Sequence, residues 1–349
     1  MPPFERDPEP LTSHRTTARS ILLVLLGLAA GVGSQSLHAQ TYGGSDGLGA
    51  KSATTTSAPA TSAPSTTNST PRPKPKTVPI GNRLIFPVVG PVQYTDDFGA
   101  PRPGGVRHEG NDIMAAKKSL AVAVENGTVK FGHNSAHAGC YLYLYGKSGA
   151  YYLYIHLNND VTMANDNRGK CGPGMSYVKG LKNGQKVKAG EPIGYVGDSG
   201  DANGIHAHLH FEVHPHGGGA VDPYPYLNRA LRLLFALRRG ATFTLKLNGS
   251  VAGLTDGGSL KELVSTVLTF PTGYKTTGVK RTIQLWLPDD ATVQRKANGV
   301  VRTVTNPAAA LKKKAPVQIA TASAAATLQA QIGAADALVA NRVLVLPKS

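Results

Sequence analysis

The chain has 349 residues, 41% of them hydrophobic, with 40 glycines and 24 prolines. That is enough for one or two globular domains with irregular segments between them, and too irregular for a single compact unit. Lys and Arg number 37 against 21 Asp and Glu, a formal charge of +16, which favours anionic partners such as a cell envelope. No nucleic-acid recognition motif accompanies the charge, and the basic residues are scattered apart from Lys312, Lys313 and Lys314, so specific nucleic-acid binding is not expected.

Residues 21–30 (ILLVLLGLAA) form the one long apolar run, preceded by Arg15 and Arg19. Its length suits a signal-peptide core and falls short of the roughly 18 apolar residues that span a bilayer. A signal peptide over 1–39 is expected, with an uncleaved anchor as the alternative. Either way the bulk of the protein lies outside the cytoplasm, secreted or associated with a cell wall. Residues 40–78 read as a linker: 52–76 (SATTTSAPATSAPSTTNSTPRPKPK) lack large aliphatic side chains and end in alternating prolines.

Residues 79–228 read as an all-β domain. Short strands are expected at 83–88, 92–94, 112–115, 120–124, 127–131, 140–145, 151–157, 192–197 and 207–213, broken by glycine turns. No amphipathic helix interrupts them, and the pattern predicts an antiparallel sheet. A Gly- and Asn-rich insertion, 158–184, follows the seventh strand. It carries Cys171, which with Cys140 completes the pair of cysteines in the chain. A disulfide is expected in an oxidising compartment, with two buried thiols as the alternative.

Three places in this domain concentrate ligand-type residues. His108 and Asp112 stand four apart across Gly110. In residues 151–157 (YYLYIHL), alternation puts Tyr152, Tyr154 and His156 on one face. In residues 206–212 (HAHLHFE), the same alternation turns Leu209 and Phe211 to a core, and His206, His208, His210 and Glu212 the other way. Imidazoles side by side on a rigid strand make a poor solvent face and a good metal site.

Taken together, the three motifs resemble the LytM-type, lysostaphin-like zinc endopeptidases of peptidoglycan, whose H-x-G-x-D, Y-x-H-L and H-L-H-F-E motifs occur in that order. Here they read His108-Glu109-Gly110-Asn111-Asp112, Tyr154-Ile155-His156-Leu157 and His208-Leu209-His210-Phe211-Glu212. The resemblance covers roughly residues 80–228. It implies an antiparallel β-sheet metallopeptidase domain holding one Zn2+ per chain on His108, Asp112 and His210. His156 and His208 would be the catalytic histidines that hold no metal. The resemblance also implies peptidoglycan peptides as substrate. Which of the two histidines is the general base stays open, with His208 favoured beside His210. Glu212 would orient an imidazole or be solvated. His206 reads as cleft rim, and His133, His137, His214 and His216 as loop residues.

Residues 229–349 carry 17 Lys and Arg against 5 Asp and Glu. A short basic amphipathic helix is expected over 228–239, strands at 241–251, 263–270, 282–287 and 300–304, and helix over the Ala-rich 320–340. This predicts a smaller, mixed or β-containing C-terminal domain that adheres to anionic cell-wall material. A monomer is expected. The competing function class is a catalytically silent wall-binding module, which would be missing a ligand or a cleft histidine.

Overall fold

The computed structural model describes residues 82–348 together with 72–74 and 76. The expected signal segment and most of the expected linker lie outside the described residues. No helix among the described residues is long and apolar enough to cross a membrane.

The first part of the fold consists of β1 (Val92–Gln93), β2 (Asn111–Ala115), β3 (Leu120–Val122), β4 (Gly127–Phe131), β5 (Cys140–Gly146), β6 (Tyr151–Leu157), β7 (Lys186–Val187), β8 (Pro192–Tyr195) and β9 (His208–His214). Strict alternation makes these segments strands: Leu142 and Leu144 of β5, and Leu209, Phe211 and Val213 of β9, all turn into one core. Seven strands form an antiparallel sheet in the order β1, β2, β9, β6, β5, β4, β7, and β3 pairs with β8. The core occupies one face of this sheet. The other face of β2, β9, β6 and β5 is left for polar and aromatic side chains.

Helix α1 (Tyr224–Arg229) closes this part. The second part holds β10 (Thr242–Leu254), β11 (Ser259–Phe270), β12 (Tyr274–Trp286), β13 (Thr292–Ala297), β14 (Val300–Thr303), α2 (Pro307–Ala310), β15 (Pro316–Thr321), β16 (Ala324–Ala325), α3 (Leu328–Gln331) and β17 (Ala340–Val345). They build a second, eight-stranded sheet in which β13 and β17 run parallel and the other pairs antiparallel. Both parts are β-rich with only short helices, in line with the all-β expectation.

Two expected helices do not form. Over 228–239, α1 ends at Arg229 and the chain then runs irregularly, with Leu231 bridged to Ile85. The five residues from Leu233 to Leu237 are all buried. Leu233 and Ala236 join a core with Ile85 and Val122, whereas Leu234, Phe235 and Leu237 join the core of the second sheet. A helix offers one apolar stripe; a strap without helical turns can serve two cores. The Ala-rich 320–340 likewise gives ends of β15 and β17, the short β16 and one helical turn, because pairing with β10 and β13 overrides helix propensity.

The insertion 158–184 contains no named strand or helix, yet it is tied down at several points. The Cys140 and Cys171 sulfurs are bonded, so the expected disulfide is present. The fully buried Asp160 carboxylate accepts the backbone N–H groups of Asp166 and Asn167, both at 2.7 Å, and pairs with Lys117 at 2.6 Å. Lys117 also reaches Asp198 at 3.1 Å, joining the insertion to the turn that precedes β9.

One buried group in the second sheet works against stability. Glu262 turns inward with Leu260 and Val264, is fully buried, and neither carboxyl oxygen has a partner. Gly249 provides the room, since a β-carbon there would lie 2.8 Å from Glu262 Oε1. Burial pushes the carboxyl up from 4.5 to about 8. The folded state therefore keeps a proton that the unfolded state releases, so stability falls as pH rises from 4.5 through about 8. Glu262→Gln is expected to flatten that decline. Between pH 5 and pH 9 the unfolding free energy from denaturant melts should fall by several kcal/mol less in the variant than in the parent.

Candidate active site

The site is assembled on the open face of the seven-stranded sheet. β2 and β9 pair with Asp112 directly opposite His210, and β9 and β6 pair with His210 opposite Ile155. His108 arrives from the loop before β2. Gly110 makes that approach possible, because a β-carbon there would meet the Phe211 carbonyl oxygen at 2.6 Å and His210 Nε2 at 2.7 Å. The result is a tight triangle: His108 Nε2 lies 2.8 Å from His210 Nδ1 and 3.1 Å from Asp112 Oδ1, and His210 Nδ1 lies 3.1 Å from the same oxygen.

The outer atoms of each ring fix its tautomer. His108 donates Nδ1–H to the Asp97 carbonyl at 2.9 Å, so its Nε2 lone pair points inward. His210 donates Nε2–H to Glu212 at 3.0 Å, so its Nδ1 lone pair does the same. In those neutral tautomers two imidazole lone pairs and a carboxylate oxygen converge, an arrangement that calls for a positive charge between them, a metal ion or, without one, a proton. The demand for positive charge shows in the titration of the group. Burial opposes a charge on His210, but Asp112 and Glu212 outweigh it and raise the ring to about 9. Burial likewise opposes the Asp112 charge, and His108 and His210 outweigh it, holding the carboxyl far below the usual range. The donor set therefore fits a metal ion, and His108, Asp112 and His210 form a candidate metal site.

The other two motif histidines border the triangle. His208, buried, donates Nδ1–H to the His206 carbonyl at 2.8 Å and turns Nε2 to within 3.7 Å of Asp112 Oδ1. His156 donates Nδ1–H to the Ser199 carbonyl at 2.8 Å, and its ring centroid is 4.9 Å from that of His208. Burial, and then His208, lower the His156 imidazole to about 4, so it is neutral at neutral pH.

His156 reaches this face by a route that alternation does not anticipate. Tyr152 and Tyr154 are core residues, against the expectation that they share a face with His156, and Tyr154 bonds the backbone of Val122 and Val124. His156 has φ +60°, a left-handed residue at a strand end. That turn brings its ring to the open face and returns Leu157 to the core.

Several supports carry no motif signal. Asp97 holds His108 through its carbonyl and Asn111 through its carboxylate, at 2.5 Å. Arg102 binds the second oxygen of Asp112 at 2.5 Å. His214, expected in a loop, is the buried last residue of β9. It donates to Glu212 at 2.7 Å and to the Gly218 carbonyl at 3.1 Å. With both ring nitrogens donating it is a cation; burial opposes the charge, and those two bonds raise its pKa. Glu212 is thereby clamped between His210 and His214 rather than solvated. Glu212→Gln is expected to weaken metal binding ~10–100-fold, measured by competition with a chromophoric chelator. His206 is exposed and contributes only its carbonyl, and His133, His137 and His216 are exposed or partly so. The insertion leans on the rim, where Asn165 and Asn167 donate to Asn203 at 2.8 Å, two residues beyond Asp201, whose carboxylate is 3.7 Å from His156.

An antiparallel β-sheet thus presents a candidate metal site of His, Asp and His, flanked by two further histidines. Residues 173–223 match the family described as Peptidase family M23. A curated relative, the L-Ala--D-Glu endopeptidase of Bacillus subtilis, is 28% identical over 152 residues. That match spans 41% of this chain and 41% of the relative. Among solved structures, a putative glycyl-glycine endopeptidase lytM from Ruminococcus gnavus is 26% identical, with 45% of this chain and 66% of that one covered and a TM-score of 0.35. The catalytic domain of lysostaphin from Staphylococcus simulans is 24% identical, with coverages of 39% and 92% and a TM-score of 0.31. The match to the Peptidase family M23 model takes in His208 and His210, while His108 and Asp112 precede it in the chain.

Proposed function

We propose that this protein is a zinc-dependent endopeptidase that hydrolyses peptide bonds in bacterial peptidoglycan. The observation that carries the reading is the inward convergence of His108 Nε2, Asp112 Oδ1 and His210 Nδ1. These residues would hold one zinc ion per chain. Zinc supplies Lewis-acid polarisation of the scissile carbonyl and activation of water. His208, with its Nδ1–H committed to a carbonyl, offers Nε2 as the general base beside the ligands. His156, neutral and 4.9 Å away, completes the proton route to the leaving amine. Asp97, Glu212 and Arg102 hold the ligands in orientation.

The M23 match and the named activity of the curated relative support a wall-peptide substrate. The domain division at about residue 228, export through the N-terminal segment, a monomeric state and adhesion of 229–349 to anionic wall material belong to the same proposal. The basic excess of the last region supports adhesion. Metal analysis should find one zinc per chain. Clearing of suspended peptidoglycan should stop on chelation and resume with zinc. A chain that binds wall material and never clears it would instead be the silent binding module.

A further inference from the structure

The open face of the sheet does not end at the histidines. Tyr141, Tyr143 and Tyr145 of β5 and Tyr151 of β6 lie on the face opposite Leu142, Leu144, Tyr152 and Tyr154, which is the face that carries His208, His210 and Glu212. Register makes the continuity explicit. Tyr143 is opposite Leu153, which is opposite Glu212; Tyr145 is opposite Tyr151, which is opposite His214. The rings touch in sequence, with centroids 5.7 Å apart for Tyr141 and Tyr143, 5.9 Å for Tyr143 and Tyr145, 6.0 Å for Tyr145 and Tyr151, and 4.3 Å for Tyr151 stacked on His214. Gly132 lets the end ring lie against the backbone, since a β-carbon there would be 2.4 Å from Tyr141.

This aromatic strip has no structural duty equal to its size. Tyr145 is 44% exposed and the other three are partly exposed. Strand spacing of about 4.8 Å puts it roughly 10–15 Å from the metal ligands, along one continuous floor. Phenol rings that are flat, uncharged and wet at the hydroxyl suit a partner with apolar C–H faces and polar edges. Pyranose rings have that character. A lipid tail would need an unbroken apolar surface, and a nucleic acid would need a denser set of cations than Lys130, across from Tyr143, and Lys186, across from Thr128 on the neighbouring strand.

We propose that Tyr141, Tyr143, Tyr145 and Tyr151 form a saccharide subsite that seats the glycan strand of peptidoglycan beside the peptide presented to the metal cluster. The proposal rests on the reading of the site as a wall endopeptidase, and binding separates the two. Peptide-free glycan strands, titrated calorimetrically into the full chain, should bind saturably. Tyr145→Ala and Tyr143→Ala should each weaken that binding about 10-fold, and Tyr143→Phe should retain it. On intact peptidoglycan the alanine variants should raise KM with kcat maintained, a split that general damage to the fold would not give. Absence of saturable glycan binding by the parent chain, or equal affinity in the alanine variants, would overturn the subsite. Tyrosine-dependent glycan binding by a chain that cleaves no wall peptide would keep the subsite and reject the endopeptidase.

Discussion

His208→Ala is expected to leave one zinc bound per chain and to lower kcat/KM on wall peptides by about 10²–10⁴. The reasoning is geometric. His208 shares β9 with His210, yet its Nε2 stands 3.7 Å from Asp112 Oδ1 and outside the triangle formed by the other two rings and that oxygen. Removing it takes away an acceptor at the reacting centre while His108, Asp112 and His210 keep their mutual placement. Metal content by mass spectrometry and single-turnover rates measure the two halves separately. Loss of zinc together with activity would make His208 a ligand, and full activity would sink its assignment as base.

Asp112→Ala is expected to remove both metal and activity. Asp112 supplies the one negative charge of the triangle, with His108 and His210 against one oxygen and Arg102 donating to the other. Without it two imidazoles face one another at 2.8 Å, Arg102 keeps only its 3.9 Å pair with Asp97, and a divalent cation loses its only anionic ligand. Thermal melts give a direct test. Zinc at 100 times its Kd stabilises the parent chain by about 2.7 kcal/mol, and the variant's melting temperature should not respond to zinc.

Much of this centre is legible in the sequence because a strand has period two. Leu209 and Phe211 turn to the core, and His208 and His210 face away from it, as alternation dictates. The same rule fails at His156, where one left-handed residue exchanges the faces, and only the likeness of the Tyr154-to-Leu157 motif to known peptidases pointed to it. Asp97 and Arg102 could not be found by spacing, since they reach Asp112 and His108 through a loop whose course depends on tertiary closure. The strap through Leu233 to Leu237 imitates a helical pattern because it has apolar residues to spare. It is read correctly only when two separate cores compete for them. Pro215 beside it makes His214 read as a loop residue, and its role follows from a partner, Glu212, on its own strand.

In the proposed reading this chain cuts amide bonds of wall peptides with a metal held by His108, Asp112 and His210. Mass spectrometry of fragments released from purified peptidoglycan tests it most directly, run with the parent chain alone, with a zinc chelator, and with zinc restored. Fragments with new peptide amino termini and intact glycan linkages are expected, absent under chelation and recovered with zinc. Fragments bearing only new sugar reducing ends, or release that persists under chelation, would contradict it.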